Sequence, residues 1–172
     1  MNKKKIIFGI IGVAVVFVLT LMVYTVDTTE YAVVTQFGNP VAVVDEAGLN
    51  IKLPDPIQSL QKLDKRVQVY QADSLELLTA DKQSVAMDYY GTWKIEDPIQ
   101  YLKTVKNKVG AEARLMDIYS SSLSVQLGKY SLEGLVNVDE DELKLDDMVS
   151  ETTDYARTKA KEYGIEIIDT QI

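Results

Sequence analysis

The chain carries its clearest structural signal in the stretch Ser84-Val85-Ala86-Met87-Asp88-Tyr89-Tyr90-Gly91-Thr92-Trp93-Lys94-Ile95. Every second residue from Val85 to Ile95 is apolar, aromatic or glycine, and most residues between them are polar, as in a strand that buries one face. We therefore predict one strand over 84–95. Trp93 could in principle bind a ligand, but a large aromatic on the inward face of a strand usually belongs to the core.

Shorter strands are predicted before this stretch. Apolar or alternating runs occur there between turn residues such as Gly38-Asn39-Pro40 and Pro54-Asp55-Pro56, and proline cannot donate to a sheet. Region 30–96 is therefore expected to be β-rich. The candidate strands are 31–37, 41–44, 49–53, 59–63 and 66–71.

The spacing becomes helical at Asp97-Pro98, where proline suits the first turn of a helix. The pattern favours helices over 98–106, 110–127 and 139–163, the last being the longest, with Gly128 and Gly164 as stops. Element 131–137 is of uncertain type, and 165–171 resembles a final strand. The fold class is thus α+β, with an antiparallel-rich sheet first, helices over 97–164 and a soft boundary near Asp97.

Residues Ile6 to Val26 form a run of 21 residues without a charge, preceded by Lys3, Lys4 and Lys5. A helix of that length measures about 31 Å, which matches a hydrocarbon core of about 30 Å. A cleaved signal peptide is the alternative, but the run is long for one and no small-residue cleavage site follows it. We expect a transmembrane helix over 6–26, with 1–5 as a cytoplasmic tip and 27–172 on the far side of the membrane.

The composition after Val26 excludes several classes of function. That part carries 15 Lys or Arg and 26 Asp or Glu, a net charge of −11, which disfavours nucleic acid as a partner. The chain has no cysteine and no histidine. It therefore lacks the ligands of ordinary zinc sites, the commonest general base and a cysteine nucleophile, so a Ser-His-Asp triad is also excluded. We predict that it is not an enzyme and holds no cofactor.

Two remaining candidate sites are weak. Ser120, Ser121 or Ser122 could pair with Lys129, but nothing in the spacing selects such a dyad over an ordinary helix end. The acidic stretch 139–142 invites a calcium site, yet an EF-hand loop starting at Asp139 would need glycine where Lys144 stands. Asp146-Asp147 are adjacent in sequence and so do not share a helix face. No catalytic, cofactor-binding or metal-binding residue is predicted.

An ordered set of motifs resembles a known family. It comprises, after the basic tip and the apolar run, the stretches 29–38 (Thr-Glu-Tyr-Ala-Val-Val-Thr-Gln-Phe-Gly), 47–54 (Ala-Gly-Leu-Asn-Ile-Lys-Leu-Pro), 63–68, 78–82 and 88–98. The set resembles the SPFH/band 7 (stomatin–prohibitin–flotillin–HflK/C) superfamily, and within it the HflC-like members. The family often has proline where Ala47 stands, and an apolar residue where Asp55 stands. In many relatives the loop around Asp55 touches the bilayer surface, and the acidic residue disfavours that contact here.

The resemblance implies a membrane-anchored scaffold. It implies an oligomer, either a hetero-oligomer with an HflK-like protein or a homo-oligomer, that modulates an FtsH-type membrane protease and contacts membrane lipid. The expected location is the bacterial inner membrane, with a periplasmic SPFH domain over 27–172. The alternative is a stomatin-like organiser of membrane microdomains that is not linked to FtsH. Relatives continue into a long coiled-coil helix, so a chain that ends at Ile172 is expected to be truncated before it.

Overall fold

A computed structural model describes residues 11–13, 16–17, 19–72, 74–136 and 144–172. The chain forms two compact units, Met1–Lys65 and Arg66–Ile172. The division falls between Lys65 and Arg66, well before the change of hydrophobic period near Asp97. Each unit has its own antiparallel sheets, in agreement with the predicted fold class.

The described residues of the first unit form five strands in two sheets. Strand β2 is the centre of a three-stranded antiparallel sheet of order β3-β2-β5, and β1 pairs with β4 in a separate two-stranded sheet. Residues Ala32 to Thr35 in β2 are all buried and form the core of this unit. The strands are β1 Val23–Val26, β2 Glu30–Gln36, β3 Asn39–Val44, β4 Gly48–Ile51 and β5 Gln58–Asp64.

The predicted helix over 6–26 is wrong at its carboxyl end. Residues 11–13, 16–17 and 19–22 are helical, but Val23–Val26 form β1. Their side chains suit a strand as well as a helix, and pairing with β4 selects the strand. The rest of the predicted span, 6–10, 14–15 and 18, lies outside the described residues. Within the described ranges, no helix is both long and apolar enough to cross a membrane.

The second unit divides the predicted strand 84–95 into two strands that belong to different sheets. Strand β8 pairs with β7 in a hairpin, whereas β9 is the centre of a sheet of order β10-β9-β6, and the chain leaves the strand conformation at Asp88-Tyr89. The predicted alternation of burial is nevertheless correct, because Met87, Tyr89 and Trp93 are all buried. The strands are β6 Gln68–Gln71, β7 Leu75–Leu78, β8 Ser84–Met87, β9 Tyr90–Ile95 and β10 Ile165–Gln171.

The first two helices of the second unit begin and end close to the predicted residues. Asp97 caps the first helix, accepting from Ile99 N at 2.9 Å and from Gln100 N at 3.0 Å. Gly164, with φ of 72°, follows the short 3₁₀ turn Lys161–Tyr163 as predicted. The helices are α1 Pro98–Thr104, α2 Lys108–Leu127, α3 Leu132–Leu135 and α4 Leu145–Ala160.

The predicted start of the last helix is wrong. Lys144 precedes the helix as its N-cap and α4 begins at Leu145, whereas the acidic stretch 139–142 lies outside the described residues. At 16 residues α4 is shorter than α2, which has 20. Asp146 and Asp147 therefore occupy the first turn of α4, where carboxylates complement the helix dipole.

The core of the second unit forms where α2 and α4 pack against the sheet β10-β9-β6. Trp93 is fully buried and stacks on Tyr101 with 6.4 Å between ring centroids, so its predicted place in the core is confirmed. Tyr119 stacks on Tyr70 at 6.0 Å and contacts Tyr89 at 5.3 Å. Together these aromatic contacts fix the register between α2 and the sheet.

Candidate interaction surface and family membership

The two-stranded sheet of the first unit has an exposed apolar face. Val23 lies opposite Ile51, and Thr25 lies opposite Leu49, so that all four side chains point to the same side. Leu49 and Ile51 are 77% and 75% exposed, and Val23 is also exposed. A strand pair that shows β-branched and leucine side chains to the outside is typical of a surface that contacts something else.

The chain after β4 continues this surface through a turn that a buried lysine organises. The ammonium of Lys52 donates to Asp55 Oδ2 at 3.1 Å, to the carbonyl of Gln58 at 3.1 Å and to that of Leu53 at 3.5 Å. Leu53 and Ile57, on either side of Asp55, remain exposed. The acidic residue that departs from the family pattern is therefore neutralised by an ion pair, and apolar side chains flank it.

The helical segment ends at the same place. The amide of Lys52 donates to the carbonyl of Met22, the last helical residue, at 2.8 Å. The exposed side chains of the helical residues, among them Phe17 and Leu21, therefore lead directly into the exposed face of β1 and β4. We name Val23, Leu49, Ile51, Leu53 and Ile57 the apolar surface.

A cleft of about 350 Å³ lies beside α4 in the second unit, and Arg157, which lines it, is engaged in the fold. Arg157 Nε donates to the carbonyl of Ile167 at 2.9 Å, and another nitrogen of the same guanidinium donates to the carbonyl of Ile168. Strand β10 departs from regular register between Ile167 and Asp169. Arg157 thus satisfies backbone carbonyls at a β-bulge, which is a structural role.

The structure does not bring the candidate serine–lysine pair together, and the candidate calcium stretch 139–142 lies outside the described residues. Ser122 is buried and donates to the carbonyl of Ile118 at 2.6 Å, whereas the ammonium of Lys129 pairs with Glu151 at 3.1 Å. None of the three serines is hydrogen-bonded to Lys129 in the described part of the chain. Asp146 and Asp147 are exposed on the first turn of α4. No metal-ligating group of three or more side chains occurs among the residues that the structure describes.

Residues 24–172 match the profile of the family described as SPFH domain / Band 7 family. The chain belongs to this family. The predicted resemblance is thereby confirmed. The match covers the whole of the second unit, residues 24–65 of the first unit, and the apolar surface except Val23.

Curated relatives place the chain near the HflC proteins. It is 28% identical to Protein HflC of Vibrio cholerae over 133 residues, which are 73% of this chain and 40% of that protein. It is 25% identical to Protein HflC of Vibrio parahaemolyticus over 174 residues, 95% of this chain and 52% of the relative. It is 29% identical to the Modulator of FtsH protease HflC of Escherichia coli K12 over 142 residues, which are 78% of this chain and 42% of that protein. The chain spans about half the length of the relatives it matches.

Sequence reasoning missed the apolar surface. The motif 47–54 is part of the family resemblance, but the alternation of polar and apolar residues in it does not show which face of the strand is exposed. That information requires the pairing of β1 with β4, and β1 lies in residues that the sequence predicts to be helical. The one usable signal is the Val23-Tyr24-Thr25-Val26 stretch, which consists of three β-branched residues and one aromatic residue, all favoured in strands.

Proposed function

We propose that the chain is an HflC-like, non-catalytic scaffold subunit that is anchored in a membrane by its N-terminal apolar run. The proposal includes assembly with an HflK-like partner into an oligomer that modulates an FtsH-type membrane protease. The observation that carries it is the match of residues 24–172 to the SPFH family together with relatives named HflC, of which the Escherichia coli protein is named a modulator of FtsH protease.

The apolar surface supports the membrane part of the proposal. Its exposed side chains follow directly on the helical residues that end at Met22, and the one charged pair beside them, Lys52 and Asp55, is internally neutralised. Transfer of such a surface out of water lowers the free energy by about 25 cal/mol per Å² of apolar area. We infer that it lies against the bilayer once the apolar run is inserted.

The non-catalytic role is supported by the way the structure uses its reactive side chains. The buried hydroxyl of Ser122 and the guanidinium of Arg157 both donate to backbone carbonyls, and Lys129 is paired with an exposed carboxylate. In an assembly with a protease, the chemistry would belong to the protease, and this chain would contribute binding surfaces.

The first test is purification of the tagged chain from membranes in a mild detergent, after co-expression with HflK-type and FtsH-type proteins. We expect both partners in the eluate and a complex much larger than the 19.3 kDa chain. A monodisperse chain that carries neither partner overturns the proposed function.

The second test concerns topology. Protease added to spheroplasts is expected to digest residues 27–172 and to leave the anchor, because the lysines at 3–5 favour a cytoplasmic N-terminus. A matched variant with Lys3, Lys4 and Lys5 changed to Gln should insert in mixed orientation. Full protection of the unaltered chain in spheroplasts contradicts the proposed orientation.

A further inference from the structure

Helix α2 exposes large apolar side chains, whereas the other helices of the second unit expose none among the described residues. Val109 is 74% exposed, Met116 is 52% exposed and Val125 is 46% exposed. Val109, Ala113 and Met116 follow one another at spacings of four and three residues, so they lie on the same side of the helix. We name this side the outer face of α2; it consists of Val109, Ala113, Met116, Ser120 and Ser124.

The second unit is acidic, but that charge is not spread evenly over its helices. Residues 66–172 contain 12 Lys or Arg and 20 Asp or Glu, and 12 minus 20 gives a net charge of −8. The exposed side of α4 carries charged residues from Asp146 to Lys159. Residues 118–127 of α2, by contrast, contain no charged residue. Two copies of this unit therefore repel each other less through the outer face of α2 than through α4.

The charged residues of α2 lie in its first half and pair with each other. Lys108 Nζ lies 3.7 Å from Glu112 Oε1, and Arg114 Nη1 lies 3.4 Å from Asp117 Oδ2. Arg114 also lies over the ring of Tyr163, with its guanidinium carbon 5.8 Å from the ring centroid. Because Arg114 and Asp117 are both exposed, they can also form ion pairs with a molecule that docks beside them.

An antiparallel pair of α2 helices matches large side chains on the outer face with small ones. If a two-fold axis passes beside Met116, Val109 of one copy lies opposite Ser124 of the other. Ala113 then lies opposite Ser120. The hydroxyl of Ser124 donates to the carbonyl of Ser120 at 2.7 Å, so burial of Ser124 leaves no unpaired donor. The outer face is therefore complementary in size to a second copy of itself.

The charges beside the outer face are complementary in the same arrangement. Arg114 and Asp117 flank the outer face on one side, and in an antiparallel two-fold pair the same flank of each helix meets. Arg114 of one copy then lies about 3 Å along the helix axis from Asp117 of the other, since each residue adds about 1.5 Å. Two ion pairs between the copies result, and their signs favour the antiparallel arrangement.

We propose that the outer face of α2 is a docking surface for a second copy of this chain, with the two α2 helices antiparallel about a two-fold axis beside Met116. One helix pair buries less than the roughly 1,200 Å² of a stable interface. The contact therefore depends on the high local concentration that anchoring in one membrane provides. The inference rests on the anchored oligomer of the proposed function and names the surface that joins two like subunits.

The first test uses single cysteine substitutions in the full chain, which has no cysteine of its own, in membranes treated with a short bis-maleimide. Met116→Cys is expected to give at least about fivefold more covalent dimer than Ser150→Cys, an exposed control on the charged side of α4. Val109→Cys alone should give no dimer, because its two copies lie about 22 Å apart along the helix axis. Val109→Cys co-expressed with Ser124→Cys should give one.

The second test exchanges charges and guards against misfolding. Arg114→Asp makes both flanking residues acidic, and Asp117→Arg makes both basic. In the Met116→Cys background, each variant expressed alone should give at least about fivefold less dimer, because like charges then meet across the contact. Co-expression of the two variants should restore the dimer, since their signs are complementary only between the two chains. Restoration also shows that both variants are folded, as expected for exposed helical positions.

Four results overturn the inference: no more dimer at position 116 than at position 150, a dimer of Val109→Cys with itself, no restoration by co-expressed charge variants, or cross-linking of position 116 only to an HflK-like protein. Failure of the proposed function is distinguishable from these. Capture of the HflK-like and FtsH-type proteins without a dimer at position 116 overturns the docking surface and leaves the proposed function. A dimer at position 116 in a chain that captures neither protein overturns the proposed function and supports the docking surface.

Discussion

Tyr119 places its hydroxyl oxygen against the backbone of Gly91, such that a β-carbon added at Gly91 would stand 2.0 Å from that oxygen. The same oxygen is 3.2 Å from Thr170 Oγ1 on β10. One residue of α2 thus contacts β9 and bonds to β10, and only glycine at position 91 leaves room for it.

We predict that Gly91→Ala lowers the free energy of unfolding by about 1–3 kcal/mol, because the methyl group would force Tyr119 away from the sheet. Urea unfolding followed by circular dichroism measures the loss. Tyr119→Phe in the Gly91→Ala background should recover part of it, since the ring without its oxygen needs less movement. Gly38→Ala, where open space surrounds the added carbon but φ is positive, separates the cost of overlap from the cost of conformation.

Alkaline pH is expected to destabilise the second unit before other effects of pH appear. Burial raises the pKa of Tyr101 and of Tyr119 to about 12, and it raises the pKa of Tyr89 as well. In the unfolded chain these phenols ionise near pH 10, so above about pH 10 the unfolded state binds fewer protons than the folded state. Stability from these groups is complete below about pH 10 and falls as the pH rises toward about 12.

The check is the midpoint of urea unfolding as a function of pH, with tyrosinate absorbance recorded in parallel. Tyr119→Phe should be less stable at neutral pH, through loss of the bond to Thr170, and should show a shallower decline above about pH 10. A decline of equal slope in both proteins contradicts the assignment to Tyr119.

Replacing Phe37 by asparagine should stabilise the first unit. We expect Phe37→Asn to raise the free energy of unfolding by about 0.5–1 kcal/mol, because asparagine tolerates a φ of 49° better than an aromatic residue. Phe37→Leu is the control, since leucine is also strained there and should give no gain. Thermal unfolding of the three proteins in detergent distinguishes these outcomes; a loss of stability in Phe37→Asn would show that the ring supports the fold.

Lys52→Met should loosen the turn that ends at Ile57. The substitution keeps the length of the side chain and leaves the carbonyl of Gln58 without its donor, at a cost of about 1–3 kcal/mol. Faster limited proteolysis between Leu53 and Ile57 is the expected readout. Lys62→Met, which removes an exposed ion pair with Glu30, should change the cleavage rate little.

Much of the fold could be predicted, because the burial of side chains and the ends of helices follow local sequence patterns. The entry of α1 at Asp97-Pro98, the stop at Gly164 and the last strand are local signals, and the structure agrees with them. The break at Asp88-Tyr89 could not be predicted, because inward residues continue to alternate across it although β8 and β9 belong to different sheets. Alternation reports which side chains are buried and is silent about which strand is the neighbour.

The apolar surface was beyond sequence reasoning for a related cause. Val23–Val26 are apolar enough for either a helix or a strand, and their partners, Gly48–Ile51, lie about two dozen residues further along the chain. Long-range pairing decides such cases, and a single sequence does not display it. The backbone conformation of the turn between β2 and β3 was also hidden, because Gly38-Asn39-Pro40 predicts a turn without indicating that Phe37 adopts a positive φ.

The absence of a linker between Met22 and Val23 has a mechanical consequence. Helical conformation passes into β1 from one residue to the next, and the bond from Lys52 to Met22 braces the junction. The helical segment therefore cannot rotate freely relative to the sheet of β1 and β4. If the helical segment is held in a bilayer, a change in its tilt, such as a thicker bilayer imposes, also changes the orientation of this sheet. The local thickness of the bilayer would then set the orientation of the first unit relative to the membrane.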